Sequence, residues 1–261
     1  MNTSITHIDT ACILLEINGF RILTDPTLDR AGNFYHHGYG GVSKKTDNPA
    51  LSMDDLKDID LILLSHHQHK DNLDIAGTKF AQQFEHIIST KAARQLLPQA
   101  IGLDDWEYVD VKTDKVTNLK ITATPAQHHP SWIPQFISGK VIGFVIEFAE
   151  QDKGVIYISG DTVYFKGIAE VARRYNIDMA IFHLGSVQFR YLTGFGRYTM
   201  NSSDLIKAVN VLRPCTIIPI HYRGWTHFKE TEESLRNTLE VHDEINYKTI
   251  FLKAGVPFQL P

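Results

Sequence analysis

Three histidines and an aspartate fall within six residues in the stretch Ser65-His66-His67-Gln68-His69-Lys70-Asp71-Asn72-Leu73-Asp74. The spacing His67-x-His69-x-Asp71 can aim imidazole nitrogens and a carboxylate into one small volume, and divalent transition metals take that mixture of donors. The stretch follows Asp60-Leu61-Ile62-Leu63-Leu64, an apolar run that reads as a buried strand, so the histidines sit where a strand opens into a loop. Alternation at a strand end puts His67 and His69 on one side and turns His66 away. A solvated polar loop also collects histidines, so the stretch alone does not decide. The chain carries 13 histidines in 261 residues, and their positions matter more than their number.

The same placement recurs. Residues 119–124 form an apolar strand that ends in Pro125-Ala126-Gln127-His128. Residues 155–159 run into Gly160-Asp161-Thr162, residues 179–182 end at His183, and residues 216–220 end at His221. Strand ends on one edge of a sheet sandwich lie close in space, so ligands spread over this length of chain can converge there.

The remaining elements supply the frame. Residues 11–17 and 20–24 read as a hairpin around Asn18-Gly19. A short capped helix starts at Ser52, helices are expected over 75–84 and 91–97, and a strand over 86–89, which is the alternation of an α/β layer. Strands follow at 108–111 and 141–148, helices at 164–175, 203–212 and 231–239, and a last strand at 249–253. Residues 34–41 and 189–198 are aromatic, glycine-rich loops without period. In the first, His36 and His37 have no third ligand nearby in sequence. Tyr39, Phe189, Tyr191, Phe195 and Tyr198 are candidates to line a cleft, and Arg190 and Arg197 to hold an anionic substrate.

Composition is that of an ordinary globular protein, 43% hydrophobic and 21% charged. A single domain over residues 1–261 is the simplest reading. The net charge of −4 argues against a nucleic-acid-coating surface or a polybasic membrane patch. Cys12 and Cys215 read as packing residues rather than a disulfide or metal pair. The first nine residues have neither the basic start nor the apolar core of a signal peptide, and no run reaches the roughly 20 apolar residues of a membrane span. A cytoplasmic protein is the expectation, with no nucleic-acid or membrane partner and with homo-oligomerisation left open.

In the order His-x-His-x-Asp, Pro-Ala-Gln-His, Ser-Gly-Asp-Thr and Pro-Ile-His, the chain resembles the metallo-β-lactamase superfamily. Its Pro125–His128 and Gly160–Thr162 stretches look like the branch holding ascorbate-6-phosphate lactonases and N-acylphosphatidylethanolamine-hydrolysing phospholipase D. The resemblance extends from Ile22-Leu23-Thr24-Asp25-Pro26 to His221. It implies an α/β fold of four layers, an αββα sandwich with the metal site at one edge. By position it implies that His67, His69 and His128 hold a first metal, that Asp161 bridges, and that Asp71 and His221 serve a second. The family motif usually closes as Asp-His, whereas here it closes as Asp71-Asn72, so the imidazole expected on the second ion is replaced by a weak neutral donor. Ser65-His66 can also be read as the motif's opening Ser-His with one extra residue before His69, but the register without an insertion favours His67, leaving His66, with Asn72, His183 and His227, expected around the ligands.

The implied activity is a metal-dependent hydrolase acting on a small-molecule ester, lactone or phosphodiester-type substrate, with one or two divalent ions. Such an ion lowers the pKa of a bound water, and Asp71 and Asp161 are the catalytic carboxylates. Zinc suits the nitrogen-rich first site, and manganese, iron or nickel stay open because the second is oxygen-rich. Two other readings compete: a phosphodiesterase or nuclease of the same superfamily, disfavoured by the acidic charge, and a non-catalytic binding protein stabilised by its metal. There is neither a P-loop nor a Gly-x-Ser-x-Gly nucleophile motif.

Overall fold

The computed structural model describes residues 2–38 and 40–260; Tyr39, a candidate cleft residue, lies outside them. Three antiparallel strands open the chain, β1 (Thr3–Asp9), β2 (Cys12–Ile17) and β3 (Phe20–Thr24), followed by a small hairpin of β4 (Phe34–His36) and β5 (Val42–Lys44). Then come β6 (Leu61–Leu63), helix α1 (Ile75–Ala81), β7 (Ile87–Thr90) and β8 (Ile101–Leu103), the strands parallel to one another and to β3. The second half contributes β9 (Tyr108–Val111), β10 (Leu119–Pro125), helix α2 (Gln135–Ser138), β11 (Ile142–Glu147), β12 (Val155–Ile158), α3 (Lys166–Arg174) and β13 (Ile177–His183). After α4 (Arg190–Thr193) and α5 (Ser202–Leu212) come β14 (Thr216–Ile220), α6 (Glu232–Glu240), α7 (Asp243–Lys248) and β15 (Phe258–Gln259).

These strands form two large sheets, one in the order β15-β1-β2-β3-β6-β7-β8 and one in the order β14-β13-β12-β11-β10-β9. Their facing sides share one apolar core. Ile13, Leu15, Leu61 and Leu63 of the first sheet meet Ile121, Phe144, Ile158, Ile181 and Ile218 of the second. The alternate residues face outward. Leu14, Ile62 and Leu64 pack with Phe80 and Ala81 of α1, while Val145, Ala180, Phe182 and Ile217 pack with Ile168, Leu205 and Leu235 of α3, α5 and α6. Covering both faces of each sheet is why these strands read as continuous apolar runs rather than as alternation. The result is the expected αββα sandwich.

Several expectations at the ends fail. Residues 249–253 make one bridge, Thr249 to Ile217, and no ladder. The C-terminal strand is instead β15, paired with the unanticipated β1. The stretch 34–41, expected as a loop, begins with β4, which pairs with β5 just beyond it. Cys12 is buried as expected, but Cys215 is exposed. Among the described residues no helix is long and apolar enough to cross a membrane.

Candidate metal centre

In the second sheet β10, β12, β13 and β14 run the same way, because β10 and β12 are each antiparallel to β11, and β13 and β14 run parallel to β12. Their carboxyl ends therefore open on one edge, and His128, Asp161, His183 and His221 follow there. From the first sheet, β6 delivers the histidine stretch to the same edge.

The stretch does not continue as a strand. β6 ends at Leu63, and residues 66–74 turn, with Leu73 N–H donating to the His69 carbonyl at 3.0 Å. In a turn, residues three apart share a side. His66 Nε2 thus lies 3.0 Å from His69 Nδ1, which lies 3.1 Å from His128 Nε2. The expectation that His67 stands in this group and His66 outside it is corrected: alternation stops where the strand stops. His67 lies half-buried outside the group, its Nδ1 unpartnered.

Each imidazole in this group presents a bare nitrogen because its other nitrogen, where a partner is present, has a fixed role. Ser65 Oγ donates to Asp25 Oδ1 at 2.8 Å and so accepts from His66 Nδ1–H at 2.9 Å. The Ser65 backbone N–H holds the same Asp25 oxygen at 2.7 Å. His128 Nδ1–H donates to the Tyr198 carbonyl at 2.9 Å. Burial pushes His66 down to about 3 and lowers His69 and His128 too, so all three rings are neutral at physiological pH. Three uncharged lone pairs crowded together are unfavourable on their own and well suited to one cation.

A second group adjoins it. Asp71, Asp161 and His221 each offer a ligand atom within 4.8 Å of the others. His221 Nε2 is 3.4 Å from Asp71 Oδ2 and 3.6 Å from Asp161 Oδ2. Burial pushes the Asp161 carboxyl up, but His221, the His183 hydrogen bond and His128 outweigh it and hold it well below the usual range. The His183 ring donates from Nδ1 to Asp161 Oδ1 at 2.8 Å, leaving Oδ2 toward the two groups. His221 has φ +62°, a left-handed backbone uncommon outside glycine, at the turn out of β14. Burial pushes its ring down, yet Asp161 and Asp71 raise it to about 9.

The donors fit resident cations. Asp71 Oδ1, Asp161 Oδ2 and His221 Nε2 are buried without a hydrogen-bond partner, a costly state unless something else satisfies them. The Asn72 amide N–H donates to Ser65 Oγ at 3.5 Å, and its Oδ1 is buried without a partner. Two histidines face Asp71. His227 Nε2 lies 3.0 Å from Asp71 Oδ2, and His37 Nδ1 lies 3.5 Å from Asp71 Oδ1. His37 was discounted in the sequence because its neighbours there supply no further ligand. Its partner is 34 positions away through the fold, and no local spacing signals that.

A cavity of about 150 Å³ opens over His69, Asp71, His128, His37 and His227, walled by Ile133, Ile137, Val187, Phe189 and Tyr198. Gln68 anchors one wall by donating to the Ser138 and Lys140 carbonyls at 3.1 and 3.0 Å. Among the described residues no Lys or Arg lines the cavity. Arg197 is paired with Asp204 at 2.9 Å, and Arg190 sits over the exposed Phe195 ring. Tyr191 instead ties its hydroxyl to Gly40 and Val42.

The sequence profile of the β-lactamase superfamily domain matches residues 20–222, which include both groups. A metal-dependent hydrolase of Pyrococcus furiosus is 27% identical over 216 residues, 82% of this chain and 88% of its own. One of Caldivirga maquilingensis is 25% identical over 232 residues, 88% and 86% of the two chains. Among solved structures, a possible metal-dependent hydrolase from Veillonella parvula superposes with TM-score 0.82 at 19% identity, covering all of both chains. An isothiocyanate hydrolase from Delia radicum gut bacteria gives 0.81 at 21%, covering 98% of this chain and 100% of its own. The resemblance to the lactonase and phospholipase D branch finds no counterpart among these relatives. With its profile match over residues 20–222, the chain belongs to the β-lactamase superfamily.

Proposed function

We propose that this chain hydrolyses a small, uncharged, largely apolar substrate with an electrophilic carbon, such as a lactone, an ester or a heterocumulene, in the cavity above the two donor groups. The single observation that carries the reading is the cavity itself: metal donors on its floor, aliphatic and aromatic walls, and no cation among its described lining residues. An anionic phosphodiester would meet no Lys or Arg there and would leave its charge to the ions alone, whereas an uncharged substrate needs no such partner. This disfavours the phosphodiesterase and nuclease readings, and with them the phosphate-bearing substrates of the lactonase branch. The neighbouring fold of an isothiocyanate hydrolase is compatible with a small neutral substrate.

His66, His69 and His128 would hold one divalent ion, and Asp71, Asp161 and His221 a second, with zinc favoured by the nitrogen-rich group. A bound ion supplies Lewis acidity and lowers the pKa of water at the site. The chain's own residues do the rest. Asp161 offers Oδ2 between the groups while His183 fixes its other oxygen. Asp71, at the cavity floor with Oδ1 unpartnered, orients the attacking water or receives its proton. Phe189, Tyr198 and Ile137 exclude bulk water and position the apolar part of the substrate.

The test is a turnover panel on Zn(II)-loaded protein spanning lactones, carboxylic esters, thioesters, isothiocyanates and bis-phosphodiesters. Turnover is expected in the uncharged set, lost at least about a thousandfold in His69→Ala, with none on the phosphodiesters. Turnover confined to phosphodiesters, or undiminished in His69→Ala, overturns the reading.

A further inference from the structure

The donor group around Asp71 is larger than the motifs that announced it. Three side chains meet at one carboxylate oxygen: Asp71 Oδ2 faces His221 Nε2 at 3.4 Å and His227 Nε2 at 3.0 Å. Asp71 follows β6 of the first sheet, whereas His221 and His227 come from the loop after β14 of the second. Asn72, next to Asp71, is turned away to Ser65. His227 is buried, and its ring is stacked on Phe189, with centroids 5.3 Å apart and planes 17° from parallel. It is therefore held in place by aromatic packing, while its Nδ1 has no partner. His37 is differently placed. Its Nε2 is occupied by Ser43 Oγ at 2.6 Å, and its Nδ1 faces the other Asp71 oxygen at 3.5 Å.

We propose that His227 is a metal ligand, supplying through Nε2 the imidazole of the second ion beside Asp71, Asp161 and His221, and that His37 positions Asp71. Two observations favour ligation over a plain hydrogen bond between His227 and Asp71. His221 Nε2, which faces the same oxygen, has no hydrogen-bond partner, nor has Asp161 Oδ2 at 3.6 Å from it, so the Asp71 carboxylate that His227 touches borders donors left for a cation. The spacing also matches that of the first group, where ring nitrogens approach to 3.0 and 3.1 Å. In the tautomer in which Ser43 Oγ donates to His37 Nε2, the ring proton sits on Nδ1, which faces Asp71 Oδ1 at 3.5 Å without a formed hydrogen bond, and His37 is not a ligand. The inference rests on reading the site as a metal centre, and the experiment separates the two.

Full-length protein stripped with a chelator and reconstituted with Zn(II) is analysed for metal per chain by elemental analysis. Zinc affinity follows from competition with a chromophoric chelator. Wild type is expected to bind two ions. His227→Gln retains an amide donor for Asp71 but loses the imidazole, so it should bind one ion tightly, with affinity for the second down by more than about 100-fold. His37→Gln should keep two. Far-UV circular dichroism checks that each variant is folded, and His227→Asn repeats the measurement with a smaller side chain. Two tightly held ions in both folded His227 variants overturn the inference, as does loss of the second ion in His37→Gln instead. A wild type that binds one ion and turns over substrate also overturns it while leaving the hydrolase reading standing. Two ions with the expected losses support it whether or not the substrate panel succeeds.

Discussion

His66 and His67 are adjacent and chemically identical, yet only one has a buttress behind it. Asp25, Ser65 and His66 form a chain in which Asp25 accepts a hydrogen bond from the serine hydroxyl and the serine oxygen accepts one from the imidazole N–H. That chain fixes which nitrogen of His66 is bare, as an oriented ligand requires. His67 lies outside the donor group altogether. His66→Ala should therefore abolish tight binding at the first site, and His67→Ala should leave metal content unchanged and cost no more than about 0.5 kcal/mol of stability. Elemental analysis and urea denaturation of the pair decide it. The reverse pattern of metal loss would restore the alternating register. The residue types of the candidate site were legible in the sequence, because His128, Asp161 and His221 stand at apolar strand ends. Register was not: it depends on where β6 gives way to the turn, and nothing in Leu64 or Ser65 signals that the ladder's last hydrogen bond is the one from Leu64 N–H to the Ile88 carbonyl. His37 was illegible for a different reason, since its meaning lies wholly in a contact made by the fold.

Helix α1 sets how the turn that carries Asp71 ends. Asp74 caps it, accepting from Gly77 N–H at 2.8 Å through one oxygen and from Asp29 N–H at 2.7 Å through the other. Asp29 returns the favour, accepting from Ile75 and Ala76 N–H at 3.0 and 3.1 Å. Two carboxylates thus share the helix's unpaired donors and tie its start to the loop after β3. A methyl at Gly77 would collide with the Pro26 carbonyl, so the helix sits hard against that loop. Asp74→Ala should cost about 1–2 kcal/mol, read as a lowered urea midpoint at unchanged slope. A loss under about 0.5 kcal/mol would mean the loop is not anchored there. At this scale the central strands and most helices were readable from their apolar runs and caps. β1 was not, because Thr3-Ser4-Ile5-Thr6-His7-Ile8-Asp9 alternates polar residues that the fold nonetheless buries. Residues 249–253 misled in the opposite sense: Ile250 and Phe251 are apolar because they pack against the sheet and helices, not because they pair in a ladder.

The candidate metal centre lies across both sheets, so the molecule must hold them in register without the ions. The turn between β1 and β2 does part of this. The Thr10 carbonyl accepts from His221 N–H at 2.9 Å, and Thr10 Oγ1 accepts from the Trp225 indole at 3.1 Å, pinning the loop that carries His221 and His227. Asp9 is buried in an ion pair with Lys45, whose ammonium also lies over the Trp225 ring. His7 completes the joint by donating Nε2–H to the same Thr10 carbonyl at 3.0 Å, with Nδ1 toward the Arg223 guanidinium at 3.5 Å. A second proton would set an N–H against that guanidinium inside the protein. Burial, the largest cause, and Arg223 accordingly push His7 down to about 4. In the unfolded chain its pKa returns to about 6.5, so between about pH 6.5 and 4 the unfolded state binds more protons and stability rises with pH. His7 thus contributes a stability present above about pH 6.5 and lost as pH falls toward 4, about 3 kcal/mol in all. In metal-free protein, the drop in unfolding free energy from pH 7 to pH 4.5 should be smaller in His7→Gln than in wild type by about 2 kcal/mol, whatever the substitution costs at pH 7. Equal drops in the two proteins would mean that His7 is free to charge in the folded state, and that the joint between the sheets is held by Asp9, Lys45 and Thr10 alone.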